Sequence, residues 1–366
     1  MDTIIQTGET CGIEFESDDQ FSDNFRVPGF RGTHDASIET PVTISENFVL
    51  SPESSPDALS LLQTKKNSTM GLELVSSILD SNSEQTIDLI KRLCGNLSER
   101  GETEISERSG IHYHFSLPNP SLKTLKSLLR IGRNLESVLF TLGGMGYEFR
   151  GVKNDSTYCR PITKFGPPCI KYGSNWAQVF DLKNLLKSSS VNDFIIRYGD
   201  LSNHVGRYNP VRYCWLNLYP LFPFGDQKNT VEFRIFNKTL NPMFIYATLI
   251  FCKSIVGFAL KSAYSDLKEN DLLEENSIYN DYTKQEVINQ FLKFSSLVNL
   301  SGEIVDILLT ILERSPVPIL NKDFVKTHLR NELSRYWNYT IDFEPIIVKN
   351  PKNPLYVDIH TLRGDR

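Results

Sequence analysis

Four short segments of this chain carry acidic or imidazole side chains at alternate positions. They are Gly12-Ile13-Glu14-Phe15-Glu16, Gly71-Leu72-Glu73-Leu74-Val75-Ser76, Ile111-His112-Tyr113-His114-Phe115-Ser116-Leu117 and Thr230-Val231-Glu232-Phe233-Arg234-Ile235-Phe236. Successive side chains on a β-strand point to opposite faces. Glu14 and Glu16 then share a face against Ile13 and Phe15. His112 and His114 do so against Tyr113 and Phe115, and Glu232 with Arg234 against Val231 and Phe233. If the four strands lie in one sheet, its back is apolar and its front carries four carboxylates, two imidazoles and a guanidinium. Carboxylates are hard oxygen ligands for Mg²⁺, and an imidazole in the same shell also suits Mn²⁺. A guanidinium engages phosphate or carboxylate oxygens through two parallel hydrogen bonds. Such a face suits divalent cations holding a polyphosphate.

Each segment alone has a plainer reading. Glu-x-Glu on a strand is also the pattern of a solvated edge. His-x-His also describes two satisfied surface histidines. Glu-x-Arg describes a cross-strand salt bridge that is worth little when exposed. Asp35 and Ser37 can cap a loop through side chain to backbone bonds as readily as serve a metal.

The elements that must position these residues are mixed. Helical spacing is expected over Ser83–Leu97, with Ser81 to Ser83 as candidate caps, and from Ser121 to about Leu142. It recurs over Val191–Tyr198, from Leu240 to about Ala263, and over Lys284–Val298, Gly302–Arg314 and Asp323–Tyr336. Ser17–Asn24 reads as a polar loop and the piece after it, through Glu39, as irregular; residues 45–70 look like a surface excursion, and Tyr158–Tyr172, rich in Pro and Gly, reads as loop. A strand at Arg212–Tyr219 is expected to form a hairpin with the fourth motif strand. Strands and helices without regular β-α-β alternation predict an α+β fold with an antiparallel sheet. Trp176, Trp215 and Trp337 read as core, and the last thirty residues as an extended tail.

The bulk numbers set bounds. A chain of 366 residues, 40% hydrophobic and 23% charged, can bury a substantial core. Its net charge of -5 argues against coating nucleic acid, so no nucleic-acid partner is expected. Six scattered cysteines without a CxxC pair read as reduced thiols of a cytoplasmic protein. The start, Met-Asp-Thr, shows no leader pattern. The apolar run from Pro242 to Leu260 is interrupted by Lys253 and reads as a buried helix, so no membrane is expected.

Taken together and in this order, the segments resemble the amidoligase family, a relative of glutamine synthetase and glutamate–cysteine ligase. The pieces that carry the resemblance are Gly12-Ile13-Glu14-Phe15-Glu16, Asp35-x-Ser37, Gly71-x-Glu73-Leu74-Val75-Ser76 and Gly110-Ile111-His112-Tyr113-His114. The others are Ser156-x-Tyr158-Cys159-x-Pro161, Arg212-Tyr213-x-Trp215-Leu216-Asn217-Leu218 and the Glu232 strand followed by Thr239-Leu240. They span about residues 10–265. The resemblance implies a catalytic domain over 10–265, with 266–366 as a helical extension and tail packed on it. It implies a curved antiparallel sheet of glutamine-synthetase-like type with helices on its back. The implied activity is ATP-dependent joining of a small-molecule or peptide carboxylate to an amine, with ATP and Mg²⁺ (or Mn²⁺) as cofactors.

By the same resemblance Glu14, His112 and Glu232 hold one ion, Glu16 with Glu73 the other, and His114 lies nearer the ATP phosphates. Arg234 contacts the transferring group or the acid. Arg212 and Asp35 are further catalytic candidates, and Arg150 and Arg160 further phosphate contacts. The first catalytic strand begins almost at the N-terminus, without the small domain by which glutamine synthetase completes a neighbour's site, so a self-contained monomeric site is expected. The setting that the resemblance brings is phage or other mobile elements. Two other readings stay open: a guanidino-kinase-like phosphotransferase of related fold, and a degenerate Mg-nucleotide-binding protein.

Overall fold

In the computed structural model, which describes residues 10–17, 27–35, 71–81, 83–99, 109–144, 162, 170–172, 175–176, 182–202, 214–223, 228–261, 283–315 and 357–358, the four motif segments are strands of one sheet. They are β1 (Thr10–Ser17), β3 (Gly71–Ser76), β5 (Gly110–Ser116) and β9 (Thr230–Asn237). With β2 (Phe30–Asp35), β4 (Leu79–Asp80) and β8 (Leu216–Asn217) they make a seven-stranded sheet of order β2-β3-β1-β5-β9-β8, in which β4 also pairs with β1. Every pairing in it is antiparallel. The fold among the described residues is α+β with an open antiparallel sheet. A separate small sheet joins β6 (Ile170–Tyr172) to β7 (Asn175–Trp176) antiparallel and to β10 (Val357–Asp358) parallel.

The odd-numbered residues of the central strands fill the core: Ile13 and Phe15 on β1, Ile111, Tyr113 and Phe115 on β5, Val231 and Phe233 on β9. Helices α1 (Glu84–Glu99), α2 (Leu122–Gly144) and α5 (Pro242–Leu260) build the layer behind them. Two shorter helices, α3 (Leu182–Leu186) and α4 (Val191–Ser202), lie between α2 and β8 in the chain. Helix α5 is long and apolar enough to cross a bilayer by length and composition. Here it is buried instead: Phe244, Ala247, Phe251, Ile255 and Ala259 have almost no exposed surface. The Tyr113 hydroxyl, on the back of β5, lies 3.0 Å from the Ile245 carbonyl and 2.8 Å from Thr248 Oγ1 on α5. That bond locks the strand carrying both histidines onto the helix layer.

Local chemistry sets the helix starts. Ser83 Oγ accepts the Gln85 N–H, and Ser121 Oγ accepts that of Thr124. Asn241 caps α5, with Pro242 at its first turn. Thr283 and Glu286 form a reciprocal capping box on α6 (Lys284–Leu297). Helix α6 and α7 (Gly302–Arg314) pack on α2 and α5, through Phe251 against Phe291 and Phe294 and a Ser137–Gln290 hydrogen bond.

Three sequence readings change. Residues 30–35, expected to be irregular, pair with all of β3 as an edge strand. Residues 170–172, expected to be loop, form β6. Of the strand expected over 212–219, the described residues are strand only at Leu216–Asn217, which do form the expected hairpin pairing with β9. Trp215 is fully buried, as expected. The helix read at 323–336, Trp337, and Arg150, Arg160 and Arg212 lie outside the described residues.

Candidate functional site

The register of the sheet turns the alternating motifs into rows. Residues directly opposite in an antiparallel pair share a face. Across the sheet Glu73 opposes Glu16, whose Oε2 accepts the Gly110 N–H at 2.7 Å, and Gly110 opposes Asn237. In the next row Glu14 opposes His112. In the third, Gly12 opposes His114, His114 opposes Glu232 and Glu232 opposes Asn217.

One irregularity tunes this grid. Between the Ile111–Phe236 and Tyr113–Phe233 pairs, β9 has one residue more than β5. Without that bulge Phe233 and Phe236 would face opposite sides; with it, both reach the core, where Phe236 contacts Tyr113 and Phe244. Bulges re-aim side chains in this way. Arg234 keeps the front by plain alternation with Glu232, and its guanidinium donates to Glu232 Oε1.

The front is not a solvated face. Glu14 and Glu16 are 9% exposed, His114 8%, His112 5% and Glu232 3%. Carboxylates so deeply placed require partners, and the imidazoles supply them. His112 Nδ1 lies 3.5 Å from Glu14 Oε2 and 3.4 Å from Glu232 Oε1, while its Nε2 lies 3.5 Å from Glu16 Oε1. His114 Nε2 lies 3.0 Å from Glu14 Oε1 and 3.8 Å from Glu232 Oε1.

These contacts shift the ionisations. Burial alone would raise the Glu14 carboxyl, yet His112 and His114 together hold it far below the usual carboxylate range. Burial would raise Glu232 as well, but the charge of Arg234, helped by both imidazoles, lowers it. Burial lowers His114, and the facing Glu232 and Glu14 more than reverse this, so its value is raised. Arg234 stays charged, because Glu232, Glu16 and Glu14 outweigh its desolvation.

The donor set fits a divalent cation. One ligand atom each from Glu14, His114 and Glu232 lies within 4.8 Å of the others. Two ligands on opposite sides of one Mg²⁺ are about 4.2 Å apart, and the His114 Nε2 distances of 3.0 Å to Glu14 Oε1 and 3.8 Å to Glu232 Oε1 lie within that span. His114 Nε2 is buried and, despite its 3.0 Å approach to Glu14, makes no properly angled hydrogen bond. Its other nitrogen, Nδ1, sits 3.3 Å from Thr230 Oγ1, which orients the ring. His114 thus groups with Glu14 and Glu232, and His112, which the resemblance pairs with the same two carboxylates, holds its Nδ1 at 3.5 Å and 3.4 Å from them. His112 also bridges this trio to Glu16. Glu73 stands at partial exposure opposite Glu16, and the backbone of Asp35 ends β2 opposite Gly71.

Two site residues were not singled out from the sequence. Asn217 Nδ2 donates to Glu232 Oε2 at 2.7 Å, and its Oδ1 accepts the Tyr219 N–H. Thr230 could have been found by alternation, since it lies two residues before Glu232. Asn217 could not, because its place depends on the register of β8 against β9.

Beneath the site, the buried Glu136 of α2 accepts hydrogen bonds from Trp215 Nε1 at 3.2 Å and from the Ile162 N–H at 2.8 Å. The Trp215 carbonyl in turn accepts the Arg234 N–H at 2.8 Å. Gly132 lets α2 come this close: a Cβ there would meet Leu216 at 3.0 Å and Ile162 at 3.1 Å.

No curated protein matches the chain. A family model described as "Putative amidoligase enzyme" matches residues 16–256, about two thirds of the sequence. The match takes in Glu16, Glu73, His112, His114, Asn217, Glu232 and Arg234, and begins two residues after Glu14. On that coverage, the chain belongs to the amidoligase family.

Proposed function

We propose that this protein is an ATP-dependent carboxylate–amine ligase that forms an amide through an acyl phosphate, on a sheet of glutamine-synthetase-like type. The observation that carries the reading is the buried convergence of Glu14, His114 and Glu232 in an amidoligase-family chain, with His114 Nε2 making no hydrogen bond. When bound, divalent ions neutralise the polyphosphate and align it for in-line transfer.

The chain's own residues then divide the work. Glu14, His114 and Glu232 would hold one ion. Glu16 and Glu73, with the Nε2 side of His112, would hold the second. Arg234, kept charged among three carboxylates and held on Glu232 Oε1, would offset the negative charge that develops on a transferring phosphoryl group. Burial of the cluster excludes the water that would hydrolyse an acyl phosphate. The acid is a small molecule or peptide, and the acceptor is an amine. A site assembled from one sheet of one chain supports a monomer.

The test is a screen of acid and amine pairs for phosphate release in Mg²⁺ and ATP, followed by product analysis. Amide product is expected, with turnover lost in E232Q and in E16Q while the fold persists. Full activity in either variant overturns the assignment, and a phosphorylated guanidine as product identifies a kinase of related fold instead.

A further inference from the structure

Among the described residues, Arg234 and Lys228 both face these carboxylates, and they differ in kind. Arg234 is buried and committed to Glu232, its side chain 13% exposed. Lys228 Nζ lies 3.7 Å from Glu14 Oε1, with half of its side chain exposed. Its ammonium therefore stands at the rim, between the buried carboxylates and solvent.

The backbone holds that position firmly. Asn229, the next residue, adopts the left-handed conformation at φ 53°. Its N–H donates to the Pro220 carbonyl at 3.1 Å and its carbonyl accepts the Leu117 N–H at 2.7 Å. The root of Lys228 is thus clipped between the end of β5 and the turn after β8, on the edge where Thr230 orients His114. The side chain beyond that root is a flexible four-carbon stem ending in three donors.

Glu14 Oε1 is contested. His114 Nε2 approaches it to 3.0 Å and Lys228 Nζ to 3.7 Å. A dication on Glu14 would repel the ammonium beside it. The same ion would bring polyphosphate oxygens next to Glu14, within reach of the displaced head. Lysine is a point-charge phosphate ligand suited to such a move.

We propose that Lys228 is a phosphate-contacting residue that neutralises Glu14 in the metal-free protein and transfers to the polyphosphate when a dication takes Glu14. The proposal rests on the metal–nucleotide reading above. It makes the rim lysine both a competitor of the bare ion and a partner of the ion–nucleotide complex, so one substitution should move two affinities in opposite directions.

The experiment is titration calorimetry of the full chain and its K228Q and K228R variants, with Mn²⁺ alone and with Mg·ATP, after urea denaturation has shown that all three are folded. K228Q is expected to bind Mn²⁺ about two- to fivefold more tightly, the range of one exposed ion pair. It should bind Mg·ATP about tenfold more weakly, as for the loss of a charge-assisted hydrogen bond. K228R should stay close to the parent in both. A general disturbance of the site would weaken both ligands together, and that result overturns the proposal, as does no change in either. If the parent binds no Mn²⁺, the metal reading and this one fail together. If the parent binds both ligands and K228Q matches it, this one fails alone.

Discussion

Asn217 Nδ2 donates to Glu232 Oε2 at 2.7 Å, which leaves Oε1 of the same carboxylate to face Arg234, His112 and His114. One side chain thereby decides which oxygen of Glu232 looks into the cluster. Partners of this kind, one layer out from a ligand, typically govern 10- to 100-fold in affinity or activity. N217A is expected to lower Mn²⁺ affinity and turnover by about that factor. Its loss also strips a bond from the Tyr219 N–H, so stability should fall by about 1–3 kcal/mol. Calorimetry and urea denaturation measure both. A variant that binds Mn²⁺ as tightly as the parent would show that Glu232 needs no orienting partner.

How much of this was visible in the sequence follows from the range of each cause. Strand alternation is local, so Glu14 with Glu16, His112 with His114 and Glu232 with Arg234 could be assigned to shared faces from spacing alone. The helices α1, α2, α6 and α7 announce themselves through 3.6-residue periodicity and serine or threonine caps. Edge strand β2, Phe-Arg-Gly-Thr-His-Asp, has neither an apolar face nor β-rich composition. Its strand state comes from pairing with β3, which no local pattern reports. The β9 bulge and the convergence of both histidines on Glu14 and Glu232 are likewise set by register between strands far apart in the chain. So is the seat of Asn217.

The same contacts predict a pH dependence of stability in metal-free solution. Glu14 titrates below its ordinary value of 4.5, so its stabilising contribution is present above that value and is lost as pH falls through its lowered folded value. His114 titrates above its ordinary value of 6.5, so its contribution is complete below 6.5 and is lost as pH rises through its raised folded value. Both contributions coincide between 4.5 and 6.5. In EDTA, the urea midpoint should therefore be higher near pH 5.5 than near pH 8.5, and H114Q should flatten that slope. Mn²⁺ affinity should run the other way, rising as His114 loses its proton. A midpoint in EDTA that climbs steadily to pH 8.5 would contradict the pairing.

Glu136 tests the support beneath the site. It is fully buried in α2 and its Oε1 accepts from both Trp215 Nε1 and the Ile162 N–H. E136L keeps a comparable volume but leaves both donors unsatisfied in the interior. Each buried orphan costs about 1–3 kcal/mol, so a total loss of about 2–6 kcal/mol is expected. It should appear as a lower urea midpoint at unchanged slope. Because the Trp215 carbonyl holds the Arg234 N–H, turnover should fall further than the folded fraction alone explains. Parent-like stability would show that these bonds are dispensable.

Two glycines, equal in chemistry, should respond to alanine with opposite signs. Gly95 lies in α1, where an added Cβ meets nothing within 4 Å. G95A is therefore expected to stabilise by about 0.5–1 kcal/mol, through helix propensity and a less disordered unfolded chain. Gly110 lies between Glu16 and Asn237 in the first row of the face. A Cβ there would stand 3.0 Å from the Phe236 carbonyl and 3.5 Å from both Glu16 Oε2 and His112 Nε2. The carbonyl belongs to the paired strand and cannot swing aside, so β5 and β9 must separate or the two side chains must yield. Overpacking of this kind costs about 1–3 kcal/mol. The larger effect should be on the site: moving Glu16 off the Gly110 N–H and pushing His112 away from Glu16 should cut turnover at least about tenfold. Urea denaturation and phosphate release on the two variants separate these outcomes. A G110A protein as active as G95A would mean that the first row has room to spare, and that the proposed seat of a second cation at Glu16 does not depend on the Gly110 N–H.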